Sequence, residues 1–238
     1  MNHPPLRAVW TAPQGIQALQ TTRDAGNLAT HVGDDPKLVS LHRKNLSQLG
    51  VPSEPCWLNQ VHSCAVYDFD QGPALPQADG AITGRNSVVL AILTADCLPL
   101  LAFSRETGRV GAFHGGWKGL AAGIIEKGVA ALGGSAVAQD WWIGPGISPD
   151  TYTVGPEVRA AFLAADSEHE ADFFPSLKQT DRWQFDLASA AERRLKRSGV
   201  ELISLAPWRT DRNPELFWSY RSDPACGRTA TLIWKEIP

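Results

Sequence analysis

The stretch ADCLPLLAFSRETGRVGAFHGGWKG, Ala95 to Gly119, decides the fold of this chain. Leu98–Phe103 is an apolar run of strand length, and Arg109–His114 resumes that character after a polar break. Ser104–Gly108 between them ends in Gly, so the segment reads as a β-hairpin. If Phe103 pairs with Arg109, Cys97 falls opposite Gly115 and His114 opposite Leu98. Neighbouring cross-strand positions lie about 5–8 Å apart, so Cys97 and His114 converge at the open end of the hairpin. A Cys and a His meeting beside two glycines offer two chemistries. They are metal ligands, or they are a thiolate nucleophile and its base.

Outward from the hairpin, Val88–Leu93 reads as a buried strand and Cys56–Leu58 as the start of another. Asp35-Pro36 followed by Leu38, Leu41, Leu46 and Leu49 predicts an amphipathic helix that Gly50 stops. Gly119–Leu132 predicts a close-packing helix rich in Gly and Ala, and Trp141–Ile143 a short strand ending at Gly144-Pro145-Gly146. Pro156–Ala165 and Leu187–Ser198 are further helices, the second capped by Asp186 and stopped by Gly199. Val200–Leu205, Phe217–Tyr220 and Thr229–Trp234 complete the strands. Strands and helices mix without strict alternation, which sets the class as α/β or α+β with a mixed sheet.

The 238 residues carry 43% hydrophobic and 20% charged residues, an ordinary globular composition with room for a substantial core. A net charge of −3 argues against a nucleic-acid binder driven by phosphate neutralisation. No apolar run reaches the roughly 18–20 residues that span a bilayer. The longest, Val88 to Phe103, is broken by Asp96 and Pro99. No secretory signal is visible, and four widely spaced cysteines without a CxxC pair read as free thiols of a cytoplasmic protein. Length and charge permit a monomer or a weak homodimer.

Nucleotide-loop motifs fail. Gly111–Lys118 resembles a phosphate loop, but its Lys falls one position late and Gly119 replaces the required Ser or Thr. GxGxxG after a strand, GxSxG and HExxH are all absent. The third element of interest is Asn59-Gln60-Val61-His62, which local geometry cannot bring to Cys97. Should His62 join them, two imidazoles and a thiolate make a three-ligand site with an open fourth position, the pattern of catalytic zinc. Zinc in such a site lowers the pKa of bound water towards about 7 and acts as a Lewis acid.

At these residues the chain resembles the YfiH-like family, also called the laccase-domain or purine nucleoside phosphorylase family. The resemblance runs through Thr21-Thr22-Arg23, Asn27-Leu28, His31–Pro36, Asn59–His62, Ala78-Asp79-Gly80 and Ala95–Leu100. It continues through His114–Gly119, Gly144-Pro145, Tyr152, Val154-Gly155, Glu157-Val158, Ser219-Tyr220-Arg221 and Gly227-Arg228. It implies one catalytic domain over residues 1–238, built of mixed β-sheets covered by helices. It also implies a zinc site, with copper as the other metal, made by His62, Cys97 and His114. Asp96 joins these three in the catalytic set, and Arg23, Asn27, Gln60, Asp79, Trp117 and Lys118 are the expected substrate-binding residues. The implied activity is phosphorolysis of adenosine, inosine and methylthioadenosine, with adenosine deamination besides. Purine nucleosides and phosphate are then the partners.

Within that reading, Asp96 or Asp79 is the carboxylate that shuttles protons during deamination. Arg23 and Lys118 take the phosphate, and Trp117 stacks on the base. Lys118 stands where the family more often has Arg, so it meets phosphate as a point charge rather than a fork. Gly115 stands where Ala is common, and Arg209 and Asp150-Thr151 replace frequent cysteines. Four rival readings stand beside it: copper-dependent polyphenol oxidation, editing of peptidoglycan precursors, a metal-free hydrolase with Cys97 as nucleophile and His114 as base, and a structural metal site in an interaction protein.

Overall fold

The computed structural model describes residues 3–7, 14–72 and 77–236. In chain order its elements are β1 (Leu6–Arg7), β2 (Ile16–Gln20), α1 (Pro36–Asn45), β3 (Val66–Asp68), β4 (Gly80–Thr83), β5 (Leu90–Thr94), β6 (Leu98–Ser104) and β7 (Val110–Gly115). They continue with α2 (Trp117–Ala121), α3 (Ile124–Leu132), β8 (Gln139–Ile143), β9 (Thr153–Val154), α4 (Pro156–Ala165), β10 (Phe173–Pro175), β11 (Trp183–Phe185), α5 (Leu187–Arg197), β12 (Leu202–Leu205) and β13 (Thr229–Lys235). A six-stranded mixed sheet runs β12-β8-β6-β7-β4-β3, a four-stranded antiparallel sheet β1-β2-β13-β5, and a small third sheet β10-β11-β9. The mixed α/β class expected from the sequence is the class observed.

Strands β5 and β6 are apolar on both faces because each separates two cores. Leu98, Leu100 and Ala102 face α3, α4 and α5 across one core. Leu101 and Phe103 face the four-stranded sheet, where Leu90, Ile92 and Ile233 meet them. Ala91 and Leu93, on the outer face of β5, pack with Leu28, Leu46 and Val51 near α1. The order of layers is therefore helix, sheet, sheet, helices. No described helix is long and apolar enough to cross a membrane.

Local signals hold at several helix ends. Asp35 caps α1 by accepting from the Lys37 N–H, with Pro36 in its first turn. Asp186 caps α5 through the Ser189 N–H and hydroxyl. Gly199 supplies the left-handed residue (φ 84°) that ends α5.

Four expectations are corrected. The hairpin is shifted by one residue: Phe103 pairs with Val110, Pro99 with His114 and Leu98 with Gly115. The turn causes this, because Ser104 N–H bonds Arg109 O and Gly108 N–H bonds Ser104 O, extending the ladder past Phe103. The expected helix over Gly119–Leu132 is two helices, broken where Gly123 takes φ 92°. Cys56–Leu58 contributes a single bridge, Cys56 to Leu90, and no strand. Phe217–Tyr220 is not a strand either. Leu216 and Phe217 turn back to bond Asn213 O.

Helix α3 sits close on the sheet because Gly128 has no side chain. A Cβ there would lie 2.9 Å from both Phe113 and Trp141, whose rings stack at 5.1 Å. Gly128→Ala is expected to lose about 1–3 kcal/mol in denaturant unfolding through overpacking. Unchanged stability would mean that the helix is free to lift.

Candidate functional site

Three segments meet at the open end of the hairpin. Cys97 ends the corner between β5 and β6, His114 lies near the end of β7, and His62 comes from the loop before β3. The observed register matters here, since a one-residue slip turns a side chain to the other face. Opposite Pro99, His114 shares a face with Ala112 and Leu101, towards the second sheet, and Cys97 follows the same alternation.

Asp79 organises the rest. Its fully buried carboxylate accepts from the N–H groups of Val61 (3.1 Å), His62 (3.0 Å) and Ser63 (2.6 Å), from the Ser63 hydroxyl (2.8 Å), and from His114 Nδ1 (2.8 Å). Those bonds hold His62 in the left-handed region, at φ 61°. Burial raises the Asp79 pKa, but the His114 and Ser63 hydrogen bonds and the His114 charge outweigh it and hold the carboxyl at about 2. With Nδ1 committed to Asp79, His114 presents Nε2 to the site.

The ligand atoms of His62, Cys97 and His114 lie within 4.8 Å of one another, and the two imidazole rings meet edge-on at 4.8 Å. His114 is buried, Cys97 half-buried and His62 exposed. Burial opposes ionisation of Cys97, yet the charges and hydrogen bonds of His114 and His62 bring its thiol down to about 6. Burial likewise opposes a charged His114, which the Cys97 thiolate and Asp79 override, raising it to about 9. Gly116 closes the cluster from outside. A Cβ at that position would stand 3.0 Å from His62, 3.2 Å from Cys97 and 3.4 Å from His114. Two imidazoles and a thiolate converging on one point, with one imidazole oriented by a carboxylate, suit a metal ion with an open position.

The cluster forms part of the wall of a cleft of about 650 Å³. Of the residues expected at the site, Gln60, Asp96, Trp117 and Lys118 line it with the three ligands. Asp79 is enclosed: its bonds go to His114 and the 61–63 loop, and it does not line the cleft. Arg23 and Asn27 do not line the cleft. Arg23 donates to Pro214 O and stacks on Trp218, while Asn27 ties together the backbones of Ala29 and Arg228. Asp96 borders the cleft, but its carboxylate already accepts from Thr210 Oγ1 (2.5 Å), Ser219 Oγ (3.1 Å) and Arg221 N–H (2.7 Å).

His31, Tyr152, Tyr220, Arg221 and Arg228 also line the cleft and had been given no role. The signal for most of them was the recurrence of Tyr152, Ser219-Tyr220-Arg221 and Gly227-Arg228 among the family-like motifs. Burial and the nearby Cys97 and Asp96 charges push the Tyr152 phenol upward, against a smaller effect of Arg221, so it stays a neutral donor. Lys118, Arg221 and Arg228 form no ion pair with any described carboxylate, whereas Arg105 pairs with Asp140 and Arg109 with Asp68.

A family model described as multi-copper polyphenol oxidoreductase laccase matches residues 8–236. The chain belongs to this laccase-like YfiH family. It is similar to the purine nucleoside phosphorylase of Xylella fastidiosa strain Temecula1, 38% identical over 96% of each chain. It is also similar to the purine nucleoside phosphorylase YfiH of Escherichia coli K12, 38% identical over 94% of this chain and 96% of that one. The crystal structure of Neisseria meningitidis protein NMB0706 superposes with a TM-score of 0.92 at 35% identity, covering 99% of this chain and 100% of the other.

The donor set in this YfiH-family chain fits one metal ion better than a copper cluster. Of six histidines, His3 pairs with Asp24, His42 bonds Asn27 O, His169 bonds Asp172, and His31 lines the cleft outside the ligand cluster. Only His62 and His114 join the described cluster, too few for several coppers.

Two measurements follow from this geometry. In metal-free protein, Cys97 is expected to react with iodoacetamide along a pH profile with its midpoint at about 6, because the thiolate is the nucleophile. A midpoint at the ordinary thiol value would show that the imidazoles do not hold the thiolate. Gly116→Ala is expected to fold and to weaken metal retention in a chelator titration by about tenfold or more, since the added methyl presses on His62 and Cys97 and touches His114. Unaltered retention would mean that the ligands move aside.

Proposed function

We propose that this protein is a zinc-dependent purine nucleoside phosphorylase, acting on adenosine, inosine and methylthioadenosine, with phosphate as co-substrate. The observation that carries the reading is the set of three cations without carboxylate partners, Lys118, Arg221 and Arg228, around a cleft that also holds the His62, Cys97 and His114 cluster. Such a cleft attracts an anion, and its volume suits a nucleoside with phosphate beside it. The names of the 38% identical relatives support the same reaction class.

In this reaction the C1′–N9 bond of the nucleoside breaks and its electron pair leaves with the base, which takes up a proton. A phosphate oxygen forms the new bond at C1′, giving ribose 1-phosphate. Lys118, Arg221 and Arg228 gather and orient the phosphate dianion, and Trp117, Tyr152 and Tyr220 offer aromatic surface to the nucleoside. When bound, zinc held by His62, Cys97 and His114 supplies a Lewis acid at one end of the cleft.

Adenosine deamination is a second activity of the same cleft in this proposal. It has less support, because Asp96 and Asp79 are both engaged as acceptors within the protein. We place residues 1–238 in one catalytic domain of a cytoplasmic enzyme, a monomer or weak homodimer. The four free cysteines support the compartment.

Adenosine incubated with zinc-loaded protein is expected to yield adenine only when phosphate is present, and chelation is expected to abolish the yield. Inosine formed without phosphate would show deamination. Neither product would overturn both activities, and full activity after chelation with loss on Cys97 alkylation would favour the cysteine hydrolase.

A further inference from the structure

The three unpaired cations of the cleft are held in different ways. The Lys118 ammonium makes no described hydrogen bond and lies 5.8 Å from the centre of the Trp117 ring. Arg228 donates through Nη1 to Cys226 O (2.7 Å) and Gly227 O (3.0 Å), its own chain neighbours, and lies over exposed Tyr220. Arg221 is anchored at both ends by distant segments. Its N–H donates to Asp96 Oδ2 (2.7 Å), and its Nη1 donates to Thr153 O (3.2 Å) and Thr151 O (3.5 Å) with the guanidinium 5.3 Å from the Tyr152 ring centre.

All the hydrogen bonds described for the Arg221 head use Nη1. The opposite edge, Nε and Nη2, has no described protein partner and is the edge that forms a two-point fork with a tetrahedral oxyanion. The Tyr152 hydroxyl, also without a described partner, belongs to the same wall of the cleft.

Asp96 sets where that fork stands. It precedes Cys97 directly and adopts φ 83°, a left-handed conformation that costs a non-glycine residue energy unless its surroundings hold it. The holding bonds come from Thr210, Ser219 and Arg221, more than a hundred residues along the chain, and Asp96 O in turn accepts from Ile147 N–H (2.9 Å). One carboxylate thus ties the backbone of Arg221 to the residue directly preceding a member of the ligand cluster.

We infer that Arg221 is the residue that seats the phosphate, and that Asp96 is a positioning residue that keeps it in register with Cys97. The inference rests on the phosphorolytic reading above and assigns that reaction's anion subsite to the Arg221–Tyr152 wall. Arg23 takes no part in it.

The test is steady-state kinetics of zinc-loaded native protein, Arg221→Lys and Arg221→Gln, with adenosine and phosphate varied separately and metal content measured for each. Both variants are expected to raise the KM for phosphate by about tenfold or more, the worth of a charge-assisted hydrogen bond, with the KM for adenosine within about twofold and zinc retained. Lys restores the charge without the fork, so it is expected to rescue only part of the loss. Asp96→Asn, or Ser219→Ala where the former does not fold, is expected to raise the phosphate KM in the same direction, about threefold for Ser219→Ala.

A phosphate KM unchanged in both Arg221 variants would overturn the Arg221 assignment. A fall in kcat alone in the Asp96 and Ser219 variants would overturn the positioning role. The functional reading fails separately, if native protein releases no base with phosphate. Broadening of the phosphorus resonance of inorganic phosphate then decides the subsite: loss of broadening in Arg221→Gln supports it, and equal broadening refutes it.

Discussion

A single buried carboxylate, Asp79, is the constraint on which the site depends. Five donors converge on it, three of them consecutive backbone N–H groups of the loop that carries His62 and one the imidazole of His114. A buried charge without partners would be costly, and here every lone pair has a use. The same bonds solve two geometric problems. They hold His62 in a left-handed conformation that is uncommon for any residue but glycine, and they settle which nitrogen of His114 faces Cys97. Two ligands from segments about fifty residues apart are thereby fixed relative to one another.

The third ligand is placed by a second carboxylate working in the same way. Asp96 holds the corner before Cys97 by accepting from the 210 and 219–221 segments. Both carboxylates pull irregular loops onto the end of a rigid two-sided sheet, whose strands β6 and β7 are buried along their whole length. Rigidity comes from the sheet and chemical variety from the loops, a division common to enzyme folds. Gly116 belongs to the same design, since the missing side chain lets three ligands pack around it.

Charge is distributed with a similar economy. The chain is acidic in sum, at −3, yet the cleft collects Lys118, Arg221 and Arg228, with Asp96 its only lining carboxylate among the described residues. Elsewhere, arginines such as Arg105 and Arg193 are neutralised by aspartates. A weakly charged whole with an unneutralised pocket focuses attraction for anions at the pocket without inviting phosphate polymers to the surface.

The sequence by itself was enough for the local features. Pro36, Asp186 and Gly199 marked helix ends that the structure keeps, and the apolar run through Leu98–Phe103 marked the central strand, because caps and burial periodicity are written in adjacent residues. Cys97 and His114 were legible as a pair for the same reason, being joined by one hairpin. The register of that hairpin was not legible: Ser104 joins the ladder opposite Arg109, and the turn, one residue shorter than expected, moved His114 from beside Leu98 to beside Pro99. Arg23 and Arg221 both stand in family-like motifs, and the sequence reading gave an anion-binding role to Arg23 and none to Arg221. Only the tertiary structure turned one onto Trp218 and the other into the cleft. Nor could any spacing reveal that Asp79 and Asp96 are spent on holding backbone in place. That depends on which distant N–H groups reach them, and long-range hydrogen bonds leave no period in a sequence for a reader to find.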